Sequence, residues 1–226
     1  MRASEPPISV PWGHGDALLG VAGMLGVSAA SLGVVLLVYG DGGAPLGAVL
    51  LETLALEAAI VGLAVRLGPR GRWPTALLFG PRRLPTLPLF GWAAVAFFAS
   101  LLLTAGYVSI AQRISADLVP PPLPLELPDS EVRYLAFLVI VLAGPASEEV
   151  FFRGFLFAGL VRRFGAPVAM VISAAVFAAA HLDVGLLGPA FLAGCAFAYV
   201  YWRTGTLWAV ILAHTAQNAI AFALSG

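Results

Sequence analysis

Seven apolar runs, most of them about as long as a membrane is thick, divide the chain and restrict what it can fold into. They cover residues 17–39, 44–67, 90–110, 134–161, 168–181, 186–202 and 207–224. A membrane-spanning helix needs about 20 mostly apolar residues. Soluble domains carry about 25% charged residues, whereas this chain carries 11% and is 60% hydrophobic. The sequence therefore predicts an all-α fold, a polytopic transmembrane helical bundle of about seven to eight spans.

The fourth run, 134–161, contains Gly144 and Pro145. A proline inside a helix removes one backbone hydrogen bond and can kink the helix. We therefore expect a kink just before Glu148, and this break leaves the span count open between seven and eight. Without a repeat or a polar block, residues 1–226 are predicted to form a single integral-membrane domain with a motif-bearing core at about 134–224.

The distribution of arginine predicts orientation and location. Arginine is enriched in cytoplasmic loops, and placing 66–83, 162–163 and 203 inside leaves the amino terminus inside and the carboxyl terminus outside. The small size and the absence of lysine favour a multi-pass protein of a bacterial cell membrane. The formal net charge is zero, so the basic footprint of a nucleic-acid-binding protein is missing. The expected surroundings are a lipid bilayer, with no nucleic-acid partner.

Two adjacent carboxylates and an arginine interrupt the fourth run at membrane depth. Charges there are costly and mark functional sites by default. Glu149 and Arg153 are four residues apart with the acid first, which is the favourable order for an ion pair on one helix face. Glu148 points about 100° away around the helix and has no obvious local partner. It is therefore a candidate general base.

Two later runs carry the other polar motifs. Phe177 and His181 are four residues apart, and so are His214 and Asn218, so each pair shares one helix face. Two of the three histidines thus accompany the glutamates within apolar segments. The third, His14, lies in a glycine-rich amino-terminal segment and is interpreted as incidental.

The three motifs together resemble those of the CAAX protease and bacteriocin-processing family of intramembrane proteases, also called the Abi family. That family shows Glu-Glu-x-x-x-Arg, then Phe-x-x-x-His, then His-x-x-x-Asn, in successive core helices. This chain has the same motifs in the same order over residues 135–222. Each motif alone has low specificity, whereas the ordered set in apolar segments is specific.

The resemblance implies an endopeptidase in which a glutamate activates water and a histidine and an asparagine stabilise the oxyanion. On this basis Glu148, helped by His181, acts on the water, while His214 and Asn218 form the oxyanion hole. The resemblance also implies supporting roles for Glu149, Arg153 and Phe177. The implied partner is a peptide or protein substrate, membrane-anchored or prenylated by analogy with CAAX processing, with peptide maturation or bacteriocin self-immunity as equal alternatives.

The same residues raise the question of a metal. Two histidines and a glutamate are a ligand set that zinc accepts, which gives Glu148, His181 and His214 as the alternative zinc ligands. The chain has no His-Glu-x-x-His motif that would place two ligands on one helix, and an asparagine is a poor zinc ligand. We therefore expect no cofactor, with zinc as the alternative.

Other functional classes also retain buried acids and histidines. A proton- or ion-coupled transporter would do so, but such folds often have internal repeats, and none is evident in this sequence. A catalytically silent immunity or scaffold protein of the same fold is a further alternative. Glu52 and Glu57 of the second run are interpreted as structural, although lining an access path stays open for them.

Overall fold

The computed structural model describes residues 8–40, 43–68, 84–120 and 130–224. Within these ranges the regular elements are all helical, which confirms the predicted all-α fold. Three helices precede the motif-bearing core: α1 (His14–Tyr39), α2 (Leu46–Leu67) and α3 (Thr86–Ala111), followed by a 3₁₀ turn at Ala116–Leu118. Three more form the core: α4 (Glu131–Ala180), α5 (Val184–Thr204) and α6 (Trp208–Leu224).

The α4 segment covers 50 residues, and its winding changes along its length. Two π-helical segments, Phe137–Ala143 and Glu149–Phe157, flank a short α-helical stretch, Gly144–Glu148. Pro145, which has no N–H to donate, lies where the winding changes from the first π-helical segment to that stretch. The backbone leaves helical geometry instead at Gly165, where φ is 73° and ψ is 162°. A side chain is strained at such a positive φ, which suits glycine to this position.

The chain is an integral membrane protein by the length and apolar character of its helices. Within the described residues, five helices are long and apolar enough to cross a membrane, and α6 is a shorter apolar helix of 17 residues. The break at Gly165 divides α4 close to the boundary predicted between the fourth and fifth runs. The count of seven to eight spans stays a prediction.

The core is centred on the second π-helical segment, Glu149–Phe157, every residue of which is buried. Phe155, near the end of this segment, is completely buried. The indole Nε1 of Trp12 donates a hydrogen bond of 2.9 Å to the Phe155 carbonyl. A Cβ atom added to Gly20 of α1 would lie 2.2 Å from the Phe155 ring. The amino-terminal helix therefore packs directly on the motif-bearing segment.

Two segments between the apolar runs lie largely outside the described residues. These are the arginine-rich segment, of which 69–83 is not described, and the acidic proline-rich segment, of which 121–129 is not described. The predicted orientation depends on the first of these segments and stays a prediction. The single integral-membrane domain over residues 1–226 also stays a prediction.

Candidate active site

The two adjacent glutamates of α4 have different surroundings. Glu149 is completely buried, whereas the side chain of Glu148 keeps 24% of its surface exposed. Consecutive helical residues point about 100° apart, so one carboxyl group enters the protein interior while its neighbour faces a cavity. The spacing had predicted only that Glu148 points about 100° away from Glu149.

Arg153 is the buried partner of Glu149. Its Nη1 atom donates a hydrogen bond of 2.9 Å to Oε1 of Glu149, so the predicted ion pair is present. The guanidinium also lies over the rings of Phe177, at 4.3 Å, and Phe197, at 5.4 Å. Such cation–π contacts favour a desolvated cation. A helical ion pair and two aromatic faces thus hold one arginine in the centre of the bundle.

The pair still leaves hydrogen-bonding capacity within the bundle. Oε2 of Glu149 and the Nε and Nη2 atoms of Arg153 have no hydrogen-bond partner among the described residues. Buried polar atoms normally have partners, and ordered water often supplies them. Three polar atoms of the Glu149–Arg153 pair therefore stay without a protein partner in the described part of the interior.

His214 of α6 connects the two glutamates. Its Nδ1 atom lies 2.9 Å from Oε1 of Glu149, and its Nε2 atom lies 3.6 Å from Oε2 of Glu148. The same imidazole packs against Phe177 and Phe197, with ring centroids 6.0 and 5.4 Å away. The first and third sequence motifs therefore meet in space although 65 residues separate Glu149 from His214.

His181 caps the end of α4, immediately after Ala180. Its Nδ1 atom lies 2.9 Å from the carbonyl oxygen of Phe177. A carbonyl only accepts hydrogen bonds, so Nδ1 carries the hydrogen and donates it. In the neutral imidazole the lone pair is then on Nε2. Phe177 also meets the imidazole edge to face at 4.8 Å, which fixes the plane of the ring.

A cavity of about 330 Å³ lies between α1, α2 and α4. Glu148 and His181 both line it, together with Glu57 of α2. Its other walls are mainly apolar, with Met24 and Leu25 of α1 among them. A carboxyl group and an imidazole thus face one largely apolar cavity. His214 and Asn218 are not among the residues that line it.

Asn218 lies one turn beyond His214 on α6, and its side chain is held by the backbone of α4. Its Nδ2 atom donates a hydrogen bond of 2.8 Å to the carbonyl oxygen of Ile140, in the first π-helical segment. An amide nitrogen has two hydrogens, so this bond uses one and leaves the other. Of the four predicted catalytic residues, Glu148 and His181 line the cavity, His214 lies 3.6 Å from Glu148, and Asn218 is observed only in its bond to Ile140. Their catalytic roles stay predictions.

Sequence reasoning gave no catalytic role to Glu57 or Ser147. The Ser147 hydroxyl and the Glu57 carboxyl form a hydrogen bond between α4 and α2. Glu52, the other acid of α2, instead accepts a hydrogen bond from the Ser31 hydroxyl of α1. Lining an access path was an open alternative for Glu52 and Glu57, and of the two only Glu57 lines the cavity.

Metal-binding side chains do not converge in the described ranges. No group of three or more His, Cys, Asp or Glu residues there is arranged to hold a metal ion. Glu148, His181 and His214 therefore do not form a ready-made zinc site in this arrangement of side chains. Whether activity depends on a metal is a question that chelation answers.

A comparison with protein families finds a family model that matches the motif-bearing core. Residues 130–220 match the model described as type II CAAX prenyl endopeptidase Rce1-like. The motif-bearing part of this chain is similar to the CAAX prenyl endopeptidases. The match covers all three motifs and confirms the family resemblance that they predicted. The buried network of Glu149, Arg153 and His214 thus lies inside the CAAX-type segment.

A comparison with curated proteins agrees with this result. A stretch of 84 residues is 33% identical to the "Putative membrane peptidase YdiL" of Bacillus subtilis (strain 168). The similarity covers 37% of this chain and 34% of the relative, so the chain matches about a third of the length of that protein. No solved structure matches the chain. The comparisons therefore show that part of this chain is similar to CAAX-type and membrane peptidases, and they assign no substrate.

Proposed function

We propose that this chain is an intramembrane endopeptidase of the CAAX type, in which Glu148 activates a water molecule that hydrolyses a peptide bond. The observation that carries the proposal is the position of Glu148 and His181 in one cavity between apolar helices. A peptide chain that enters this cavity meets a carboxylate and an imidazole in surroundings of low polarity. Electrostatic effects on a developing charge are strongest in such surroundings.

In the proposed reaction, Glu148 accepts a proton from water as the water oxygen attacks the scissile carbonyl carbon. The Nε2 lone pair of His181 accepts a hydrogen bond from the same water and orients it, and this second hydrogen stays on the attacking oxygen. The C–N bond then breaks, and the proton on Glu148 passes to the leaving amine. No covalent enzyme intermediate forms. A general base contributes about 10²–10⁴-fold to such a rate.

The oxyanion would be stabilised from α6. Nδ1 of His214 donates to Glu149, so a hydrogen on Nε2 as well requires the imidazolium form. In the proposed mechanism that Nε2 hydrogen is donated to the oxyanion. Asn218 would supply its second N–H beside it. Loss of one oxyanion donor typically costs about 10²–10³ in kcat.

Arg153 and Phe177 are proposed to act on Glu149, His181 and His214 and not on the substrate. The guanidinium neutralises Glu149, and the Phe177 ring contacts the guanidinium and both imidazoles. The proposed substrate is a peptide or protein segment, membrane-anchored or prenylated, that reaches the cavity from the bilayer. No cofactor is proposed, and zinc held by Glu148, His181 and His214 is the competing hypothesis.

The experiment uses the purified full chain in detergent with a fluorogenic peptide attached to a lipid anchor. The wild-type protein should cleave it, and Glu148→Gln should lower kcat by at least about 10²-fold. The matched control is Glu52→Gln, which changes an acid of α2 that does not line the cavity.

Cleavage at equal rates by the wild-type protein and Glu148→Gln, or by neither, would remove the basis for an endopeptidase. The same preparations in liposomes test the transporter alternative. A proton or ion flux that Glu148→Gln abolishes would assign this glutamate to transport.

A further inference from the structure

A second carboxyl group, that of Glu57 on α2, faces the cavity that Glu148 lines, and the mechanism above gives it no role. Its Oε2 atom is hydrogen-bonded to the hydroxyl of Ser147, the residue directly before Glu148. Ser147 is buried, with 7% of its surface exposed. An acid on one helix is thus tied to the residue that precedes the proposed general base on another.

The Ser147 hydroxyl has three oxygen neighbours but only one hydrogen. The carbonyl oxygens of Ala143 and Gly144 lie 2.7 and 2.9 Å from it, and the third neighbour is the Glu57 carboxyl. Carbonyl oxygens cannot donate, so Glu57 is the one neighbour of the three that can donate to Ser147. A protonated Glu57 donates to Ser147 while Ser147 donates to a carbonyl, and an ionised Glu57 accepts the hydrogen of Ser147. The link between α2 and α4 persists in both states.

The backbone at this point needs such a link. Ser147 and Glu148 end the five-residue α-helical stretch between the two π-helical segments. A change between π and α winding alters which carbonyls have backbone partners, and π segments are frequent at functional sites. Pro145 donates no backbone hydrogen bond. The direction of the Glu148 side chain therefore depends on a segment that backbone hydrogen bonds restrain less than a regular helix.

We propose that Glu57 is a positioning residue of the site, which acts through Ser147 to fix the direction of Glu148 toward the cavity. This inference rests on the proposed function of Glu148. The proposal requires a side chain at position 57 that can hydrogen-bond to Ser147. It does not require that this side chain be an acid. A misplacement of about 1 Å at a reacting group costs roughly 10²-fold in rate.

The test compares an apolar and a polar replacement of nearly the same size, Glu57→Leu and Glu57→Gln. The amide that Glu57→Gln introduces can donate to Ser147 Oγ as a protonated acid does. Glu57→Leu should lower kcat by about 10-fold to 10²-fold with little change in KM, and Glu57→Gln should restore most of that loss. Glu52→Leu also removes a carboxyl–hydroxyl bond of α2, outside the cavity, and should leave kcat near the wild-type value.

A double-mutant cycle tests whether Ser147 transmits the effect. Ser147→Ala should lower kcat as Glu57→Leu does, and the double variant should be no slower than the slower single variant. Three results would overturn the proposal: a wild-type kcat in Glu57→Leu, a Glu57→Gln protein as slow as Glu57→Leu, or fully additive losses in the cycle. Thermal unfolding of each variant in parallel separates loss of rate from loss of folded protein.

A second readout does not require proteolysis. The rate at which a hydrophobic carbodiimide modifies Glu148, followed by peptide mass, reports the exposure and direction of that carboxyl group. Glu57→Leu should change this rate, and Glu57→Gln should keep it near the wild-type value. If the wild-type protein cleaves no peptide, the proposed function fails and this labelling alone decides on positioning. Equal labelling rates in all three proteins would then contradict the role of Glu57.

Discussion

His214 Nδ1 lies 2.9 Å from Oε1 of Glu149, the same oxygen atom that accepts a hydrogen bond from Arg153. One carboxylate oxygen thus joins the first and third sequence motifs. Because Glu149 is completely buried, its charge has to be offset by these two partners. The proposed catalytic residues therefore depend on an ion-pair network behind them, and the first prediction concerns that network.

Removal of one member of the buried pair should destabilise the protein strongly. Glu149→Gln or Arg153→Met leaves an unpaired charge in the bundle, a loss that costs about 3–5 kcal/mol. The double variant should lose less than the sum of the two single losses, because neither charge is then left alone. Unfolding in detergent measures all three proteins.

The control for the network is Arg203→Met, which removes an exposed arginine near the ring of Trp202. It should change the free energy of unfolding by less than about 0.5 kcal/mol. Losses of equal size in the buried and exposed arginine variants would contradict a structural role for the Glu149–Arg153 pair.

Asn218 should affect rate more than its single observed hydrogen bond suggests. Asn218→Ala removes the bond to Ile140 and, in the proposed mechanism, one oxyanion donor, so kcat should fall by roughly 10²–10³-fold. Gln217→Ala, at the preceding position of α6, should leave kcat near the wild-type value. A lower unfolding temperature in Asn218→Ala with kcat within about threefold of wild type would assign this amide to packing alone.

A glycine pair on α1 tests the packing of that helix on the motif-bearing segment. A Cβ at Gly20 would lie 2.2 Å from the ring of completely buried Phe155, whereas one at Gly26 would meet nothing within 4 Å. Gly20→Ala should therefore destabilise by about 1–3 kcal/mol through overpacking. Gly26→Ala should be neutral or stabilising by up to about 1 kcal/mol, since alanine is the better helix former. Equal unfolding temperatures in the two variants would contradict this contact.

Chelation decides between the water-activation mechanism and a zinc enzyme. Incubation with a strong chelator should leave the cleavage rate within about twofold of the untreated protein, and added zinc should not raise it. Activity that the chelator abolishes and zinc restores would show that a metal acts at the site. The ligand assignment to Glu148, His181 and His214 would then become the hypothesis to test.

Local spacing explains why much of the site could be predicted from the sequence. Glu149 and Arg153 are four apart on one helix, so their pairing follows from helical geometry. Glu148 points away from the Glu149 side chain because consecutive helical residues are about 100° apart. The meeting of α4 with α6 through His214 was inferred from family resemblance, because spacing carries no information on how distant helices pack.

Two features of α4 could not be predicted, and both depend on backbone geometry. Pro145 indicated a kink, but the helix continues through it by changing to π winding on both sides. The departure from helical geometry falls at Gly165 instead.

The contact of Glu57 with α4 could not be predicted either. Glu57 was interpreted as structural because nothing in the sequence shows which face of α2 meets Glu148. Its contact with Ser147 spans 90 residues.

The central claim is that a water molecule activated by Glu148 attacks the peptide bond, and a single-turnover reaction in oxygen-18 water tests it most directly. With unlabelled enzyme in excess over substrate, each new carboxyl group should carry one solvent oxygen in the first turnover. Glu148→Gln should give no product on the same timescale. An unlabelled product, as expected from direct attack by a carboxylate oxygen of the enzyme, or product from Glu148→Gln at the wild-type rate would contradict the mechanism.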